Sequence, residues 1–153
     1  MTTNQIDQMI YDYTVEHGGT PADLNYEGYP KSVCTSINDV VCHGIPCDTD
    51  VLHEGDIINV DCSTILDGYF SDSSRMFCIG EVSAERQRLV EVTRASVEAG
   101  LAAVKPWLPL SVMAEAVQKT VEDAGLAWCA STADTALARS STRTRLWLYH
   151  RGA

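Results

Sequence analysis

The chain lacks several features that would place it in common functional classes. No apolar run approaches the roughly 20 residues that span a bilayer, and the polar start MTTNQIDQ has no apolar region typical of a secretory signal. None of the six cysteines forms a CxxC pair, which argues against a zinc finger or a thioredoxin-type site. We therefore expect a cytoplasmic protein with reduced cysteines.

Basic residues are also scarce. The 153 residues carry 11 Lys and Arg against 21 Asp and Glu, a formal net charge of −10. This excess of acid argues against nucleic acid or an anionic membrane as the main partner. The composition is that of a soluble globular domain, since apolar residues make up 45% of the chain and charged residues 21%.

The charge changes sign near Leu126. Residues 1–126 have a net charge of −13, whereas residues 127–153 have a net charge of +3 and contain no Glu. The second segment is rich in Ala, Ser, Thr and Arg and has no sustained helical or strand periodicity. We therefore predict a folded region over residues 1–126 and a poorly ordered tail over residues 127–153.

Hydrophobic periodicity predicts three helices, each bounded by capping or breaking residues. The clearest start signal is Thr2, which can form a capping box with Gln5. Met113 in the third helix is interpreted as core packing. The predicted helices run from Thr2 to Gly18, from Ser83 to about Val104, and from Ser111 as the cap to Gly125 at the C-cap.

The segment between the first two helices is β-prone. Its strongest signal is Asp67-Gly68, a dipeptide typical of a type I′ hairpin turn. Helices combined with such strands predict an α/β (α+β) fold with an antiparallel sheet. The predicted strands are Ser32–Cys34, Asp39–Cys42, Asp56–Ile65 and Tyr69–Ile79.

The hairpin brings two acidic residues together. With Asp67 and Gly68 as the loop, Asp61 faces Ser74, and Asp72 lies two residues from Ser74 on the same strand. Alternation of side chains then puts both carboxylates on one face, about 7–8 Å apart or somewhat less. Such a pair can bind one divalent cation or bridge two. Alternatively, one Asp only protects a sheet edge, although burial of an unpaired carboxylate is costly and favours the metal hypothesis.

Four further residues are candidates for a substrate site. His43 follows a predicted strand, a position where a single histidine is more often a packed or surface residue. Tyr26, Tyr29 and Cys34 form an apolar cluster that fits either a pocket wall or ordinary core. The other three histidines have no functional context.

These residues together resemble a known family. The stretch YPKSVCTSINDVVCHGIP, residues 29–46, is similar to the signature of type I methionine aminopeptidases. The motifs EGDIINVD, DGY and DSSR follow in the same order, and the resemblance covers roughly residues 2–126. It implies the N-terminal half of a pita-bread fold, with helices packed on one face of the sheet. It also implies removal of the initiator methionine from nascent proteins by an enzyme with two divalent metal ions, Co, Mn, Fe or Zn.

The resemblance assigns roles to individual residues. Asp61 and Asp72 match two of the family's five metal ligands, with Asp72 as the bridging one. His43 matches the histidine that hydrogen-bonds the scissile region of the substrate. The expected partners are N-terminal Met peptides or nascent chains, either free or at the ribosome, and the expected state is a monomer. Three residues match positions that line the pocket for the Met side chain: Tyr26, Tyr29 and Cys34.

The chain also departs from the family pattern. The three remaining ligands, a His and two Glu, would follow the third helix, where residues 127–153 offer only His150 in an unrelated context. The helix that precedes the Thr2 region in the family is also missing, so we expect both ends to be truncated. With two ligands, metal binding is expected to be weak and the chain inactive.

The alternative is a non-catalytic remnant or binding module of the same fold. Specificity for X-Pro bonds or creatine is disfavoured by the spacing around Cys34 and His43.

A shifted reading frame explains the tail. Starting at the Leu126/Ala127 boundary, allowed codons can read GVVREYCGHGIG, one unassigned residue, and then EFHEDP, which resembles the family's next motif. We therefore hypothesise that residues 127–153 are an out-of-frame translation of a methionine aminopeptidase gene. The nucleotide sequence of codons 126–144 tests this hypothesis directly, and an evolved basic tail is the alternative.

Overall fold

The computed structural model describes residues 1–128 and 148–149. The described residues form two compact units, residues 1–83 and the described part of residues 84–153. The first contains one long helix and a four-stranded antiparallel sheet, and the second contains two helices and a short two-stranded ladder. Helices are thus combined with antiparallel strands, as predicted. Most of the predicted tail lies outside the described residues.

The elements follow one another in the order helix, four strands, two helices and two short strands. Within the described portion, no helix is long and apolar enough to cross a bilayer. The helices are α1 (Thr3–Glu16), α2 (Ala84–Ala103) and α3 (Ser111–Asp123). The strands are β1 (Thr20–Pro21), β2 (Cys34–Ile37), β3 (Ile57–Leu66), β4 (Tyr69–Cys78), β5 (Ala127–Trp128) and β6 (Leu148–Tyr149).

Helix α1 begins with the predicted capping box. The Thr2 side chain accepts from the Gln5 N–H at 3.2 Å, and Gln5 Oε1 accepts from the Thr2 N–H at 2.9 Å. Both bonds satisfy backbone donors that a helix start leaves open. Further along α1, the buried Asp7 carboxylate accepts from the Ser32 N–H at 2.7 Å. This bond ties α1 to the segment that leads into β2.

Strand β3 is the centre of the sheet. All ten of its residues pair with β4, and its other side pairs with β1 near Ile65 and with β2 from Ile58 to Asp61. Ile57 and Ile58 are buried, so β3 also supplies core residues of the first unit. Strand β4 pairs with β3 alone within the described residues and therefore forms an edge.

The turn between β3 and β4 confirms the hairpin prediction. Asp67 and Gly68 have φ values of 50° and 80°. Positive φ at both central residues defines a type I′ turn, whose twist matches that of the flanking strands. The two-residue loop fixes the register of every pair in the hairpin.

The predicted strand Asp39–Cys42 is wrong. Asn38 has a φ of 49° and reverses the chain directly after β2, and the Val40 N–H closes this turn on the Ile37 carbonyl at 3.0 Å. Asn38 is held by Ile57, because its N–H donates to the Ile57 carbonyl at 2.9 Å and its Oδ1 accepts from the Ile57 N–H at 3.1 Å. These bonds end β2, which itself begins later than predicted.

Helices α2 and α3 lie in close contact at Gly100. A Cβ added there would sit 2.7 Å from Val117 Cγ2 and 3.2 Å from Met113 Cγ. Val117 and Val121 on α3 are buried. A glycine in α2 thus lets the two helices approach, and Met113 lies at their contact as expected.

The C-terminus of α3 is a Schellman motif. The cap is Ala124, one residue before the predicted cap Gly125, and Gly125 follows it with a φ of 72°. The Gly125 N–H donates to the Glu122 carbonyl at 2.8 Å, and the Leu126 N–H donates to the Val121 carbonyl at 3.1 Å. This pair of bonds requires a left-handed residue, which glycine adopts without strain.

The prediction that Ser111 caps α3 is wrong. Ser111 is the first helical residue, and the cap is Leu110, which makes no side-chain bond to the helix. The Val112 N–H donates to the Pro109 carbonyl at 3.3 Å, and the Met113 N–H donates to the Leu110 carbonyl at 3.0 Å. Because carbonyls of the preceding turn satisfy these donors, no capping side chain is needed.

Candidate functional site

The pairing register places the two candidate aspartates on one face of the hairpin. Asp61 lies opposite Ser74, and Asp72 lies opposite Ser63. Because the loop has two residues, both pairs are of the type without mutual backbone hydrogen bonds, with Cα atoms about 4.5 Å apart. Asp61 and Ser63 are two residues apart and share a face, so the two carboxylates are diagonal neighbours. The register thus confirms the pairing of Asp61 with Ser74 that was predicted from the two-residue loop.

Cys34 extends this face onto a third strand. It pairs with Asp61 from β2, so Cys34, Asp61 and Ser74 form a row across the sheet. Asp61 is 4% exposed and Cys34 is 3% exposed, whereas Asp72 is exposed. One carboxylate of the pair is therefore fixed within the sheet, and the other faces solvent.

A third carboxylate, Asp23, lies close to this face and is not identified from the sequence. It is buried, and its Oδ2 accepts from the Ser63 N–H at 3.3 Å. The Ser63 carbonyl accepts from the Ala22 N–H at 2.8 Å. Asp23 thus pairs with the backbone of β3 at Ser63, which lies between the residues that pair with β1 and those that pair with β2. Its partner is 40 residues away, so no local sequence signal reveals it.

The Tyr29 side chain bonds to the loop that follows β2, next to His43. The Tyr29 hydroxyl donates to the Gly44 carbonyl at 3.0 Å, and the Thr35 N–H donates to the same oxygen at 2.9 Å. His43 precedes Gly44 and has a φ of 51°. Its imidazole is on an exposed residue whose loop is bonded to β2, the strand that carries Cys34.

Tyr26 lies in a short 3₁₀ turn, Tyr26–Gly28, ahead of Tyr29. The two are linked by a bond from the Tyr29 N–H to the Tyr26 carbonyl at 2.9 Å. Tyr26 is 50% exposed and Tyr29 is partly buried. Of the predicted pocket residues, Cys34 is thus in the sheet beside Asp61, and the two tyrosines are on the turn that approaches β2.

The electrostatic environment favours a cation. Residues 1–83 contain 14 Asp and Glu but only two basic residues, Lys31 and Arg75. Lys31 is paired with Asp7 on α1 at 3.5 Å. Arg75 pairs with Val60 and therefore lies on the sheet face opposite to Asp61. No basic residue of the first unit lies on the face of the β3–β4 hairpin that carries Asp61 and Asp72.

Comparison with known proteins decides the family. The model of metallopeptidase family M24 matches residues 1–143. The chain belongs to metallopeptidase family M24. Membership in M24 implies the use of divalent metal ions, as the resemblance suggested.

Curated M24 relatives include several bacterial methionine aminopeptidases. Identity is 43% over 122 residues with the Rickettsia prowazekii protein, 47% over 123 residues with that of Buchnera aphidicola, and 44% over 126 residues with that of Escherichia coli K12. These alignments cover 80%, 80% and 82% of this chain, but 47%, 47% and 48% of the relatives. The chain therefore spans about half the length of the curated relatives it matches.

Solved M24 structures confirm the partial pita-bread fold. Methionine aminopeptidase from Rickettsia prowazekii matches with a TM-score of 0.88 at 38% identity, over 99% of this chain and 61% of that chain. The enzyme from Thermotoga maritima matches with a TM-score of 0.88 at 27% identity, over 95% and 58%. X-Pro aminopeptidase from Thermotoga maritima has a TM-score of 0.64 at 22% identity and shares the fold.

The described residues offer few donors for a metal ion. Carboxylate oxygens such as those of Asp61 and Asp72 are suitable ligands for hard divalent cations. Residues 1–128 and 148–149, however, contain no group of three or more His, Cys, Asp or Glu side chains that could hold a metal ion. The two aspartates thus fit a metal in kind but not in number.

The frame-shift hypothesis stays a prediction. Pairwise alignments to the M24 relatives above span 122 to 126 residues, while the family match extends to residue 143. Residues 129–147 lie outside the described residues.

Proposed function

We propose that this chain carries the N-terminal half of a methionine aminopeptidase centre. The observation that supports this most strongly is the acidic pair, Asp61 and Asp72, on one face of the β3–β4 hairpin beside Cys34. M24 relatives named methionine aminopeptidase, at 43–47% identity, support the substrate class. The proposed substrates are peptides or nascent chains with an N-terminal Met, in the cytoplasm.

In this proposal Asp61 and Asp72 are metal ligands. They would hold a divalent ion, and the chemistry such an ion would supply is polarisation of a carbonyl and activation of water. The net negative charge of residues 1–83 attracts the cation, and burial keeps the Asp61 carboxylate in place. Because the described residues offer too few donors, we assign no hydrolytic step to this chain.

The remaining residues contact the substrate. His43 donates a hydrogen bond to the scissile region, which orients the peptide relative to the acidic pair. Cys34 is adjacent to Asp61 in the sheet and lines the pocket for the Met side chain. Tyr26 and Tyr29 contribute to the same pocket from the turn that precedes β2.

The chain alone binds metal weakly and does not remove methionine. Two carboxylates without further protein ligands leave most of the coordination shell to water, which lowers both affinity and selectivity. A non-catalytic remnant or binding module is the second candidate. It is favoured by the exposure of β4, whose residues 69–75 are all exposed.

Peptide hydrolysis tests the proposal. The purified chain is incubated with Met-Ala-Ser and Co²⁺ or Mn²⁺, and free methionine is measured against a metal-only blank. We expect no release above the blank, and turnover that disappears in Asp61→Asn would show that the chain is an active enzyme.

Mn²⁺ binding that persists in the double variant D61N/D72N would contradict the proposed ligands. A cooperative thermal transition would favour a folded module, and its absence would favour a remnant.

A further inference from the structure

The Tyr29 hydroxyl joins separate segments of the first unit. It shares its proton between the Val33 carbonyl at 3.1 Å and the Gly44 carbonyl at 3.0 Å. The backbone of Tyr29 is itself fixed on both sides. Its N–H donates to the Tyr26 carbonyl at 2.9 Å, and its carbonyl accepts from the Asn25 N–H at 2.8 Å. A fixed turn therefore presents one phenol group to the loop that follows β2.

Gly44 is the residue at which this loop is held. Its carbonyl oxygen accepts from the Thr35 N–H as well as from Tyr29, so both lone pairs are used. Its N–H donates to Ser36 Oγ at 3.4 Å. A Cβ at Gly44 would lie 1.9 Å from the Thr35 carbonyl oxygen. Only glycine allows the loop to approach β2 this closely.

His43 directly precedes this point of attachment. Its φ of 51° is in the left-handed region, which is disfavoured for a residue with a Cβ. An uncommon backbone conformation persists only where its surroundings hold it. The Gly44 N–H, in the peptide unit that joins His43 to Gly44, donates to Ser36 Oγ. The Gly44 carbonyl, one peptide unit further along, is held by Tyr29 and Thr35. Together these bonds hold the backbone that follows His43 and so maintain its conformation.

We propose that Tyr29 is a positioning residue for His43. Its hydroxyl acts through Gly44 to fix the left-handed backbone at His43, and with it the direction in which the imidazole leaves the loop. This inference rests on the proposed function for the contact of His43 with substrate. The Tyr29 ring and its hydroxyl thus have separate roles. The ring alone is enough to contact an apolar Met side chain, as a phenylalanine ring would, whereas the hydroxyl holds the loop.

NMR on the full chain tests the proposal. Tyr29→Phe keeps the ring and removes the hydroxyl, and Tyr69→Phe is the matched control because Tyr69 is 80% exposed on β4. In Y29F we expect the ring ¹H–¹³C signals of His43 to shift and broaden, and hydrogen exchange of the Thr35 amide to accelerate about fivefold. The ring signals of His53 should stay in place. Y69F should change none of these signals.

A lower unfolding midpoint with unchanged His43 signals would mean that Tyr29 is structural only, and would overturn the proposal. If Tyr29→Phe does not fold, the unmodified chain decides. A phenol proton shared by two carbonyls exchanges slowly, so we expect a visible Tyr29 hydroxyl signal with a nuclear Overhauser contact to Gly44. Absence of that contact would also overturn the proposal. Neither readout needs turnover or metal, so failure here is distinct from failure of the proposed function.

Discussion

Strands β3 and β4 belong to one hairpin and have the same length, but their environments differ. Strand β3 has neighbours on both sides and contains buried residues, including Asp61. Strand β4 has β3 alone as a described neighbour, and seven consecutive residues, 69–75, are exposed. The two candidate metal ligands therefore lie on either side of a boundary between a packed and an open part of the molecule.

This difference supports the weak metal binding that we propose for Asp61 and Asp72. The Asp61 carboxylate is held by the sheet and needs little ordering to bind a cation. Asp72 is exposed on the open strand, so ordering its side chain around a cation costs more rotamer entropy than ordering the buried Asp61. The part of the site that is ordered before a cation binds therefore ends between β3 and β4. Differences in stability and hydrogen exchange between the two strands measure how sharp this boundary is.

The largest expected contrast is between two residues that face each other across the hairpin. Ile58 is 1% exposed on β3, and its partner Phe77 is 47% exposed on β4. Ile58→Ala should lower the free energy of unfolding by about 2–5 kcal/mol, because it removes fully buried atoms and leaves a cavity. Phe77→Ala should cost about 1 kcal/mol or less. Urea unfolding measures both values, and equal losses would remove the distinction between the strands.

A second contrast uses glycines on the two sides of β3. Gly44→Ala should destabilise the first unit by about 1–3 kcal/mol or more, because its Cβ would meet the Thr35 carbonyl oxygen and displace backbone. Gly68→Ala in the hairpin turn meets no atom within 4 Å, and its cost of about 1–2 kcal/mol comes from its φ of 80°. Thermal unfolding should rank Gly44→Ala as the more damaging change. The reverse order would place the tighter packing at the β4 side.

A smaller effect is expected in amide hydrogen exchange. The two-residue turn directs the N–H groups of Phe70, Ser74 and Met76 away from β3, and those of Ser71 and Ser73 toward it. Exchange should therefore alternate along β4, about fivefold faster at the outward positions. On β3, consecutive positions that pair on both sides should all be protected. Uniform protection along β4 would indicate that its outer edge is covered in solution.

The sequence predicts the hairpin well because its determinants are local. Asp67-Gly68 specifies the turn, and the turn length fixes the register that brings Asp61 and Asp72 to one face. The capping box of Thr2 and Gln5 is equally local, since the bonded groups are three residues apart. In such places the chemistry of a few neighbouring residues decides the structure.

The features that the sequence does not reveal depend on distant partners. The expected strand Asp39–Cys42 is lost because Asn38 bonds to Ile57, 19 residues away, and turns the chain. The position of Asp23 beside β3 cannot be predicted from the sequence, because its bond to Ser63, 40 residues away, forms only in the folded sheet. Neither contact has a periodicity or motif that a sequence pattern could report.

The most direct test of the central claim is Mn²⁺ titration followed by NMR. We expect site-specific broadening of the amide signals around Asp61, Ser63 and Asp72, with a dissociation constant of about 10⁻⁴–10⁻³ M or weaker. Either Asp61→Asn or Asp72→Asn should weaken this broadening, since both carboxylates face one cation. Broadening centred on the exposed acidic loop around Asp48 and Asp50, with signals near Asp61 unaffected, would contradict the account.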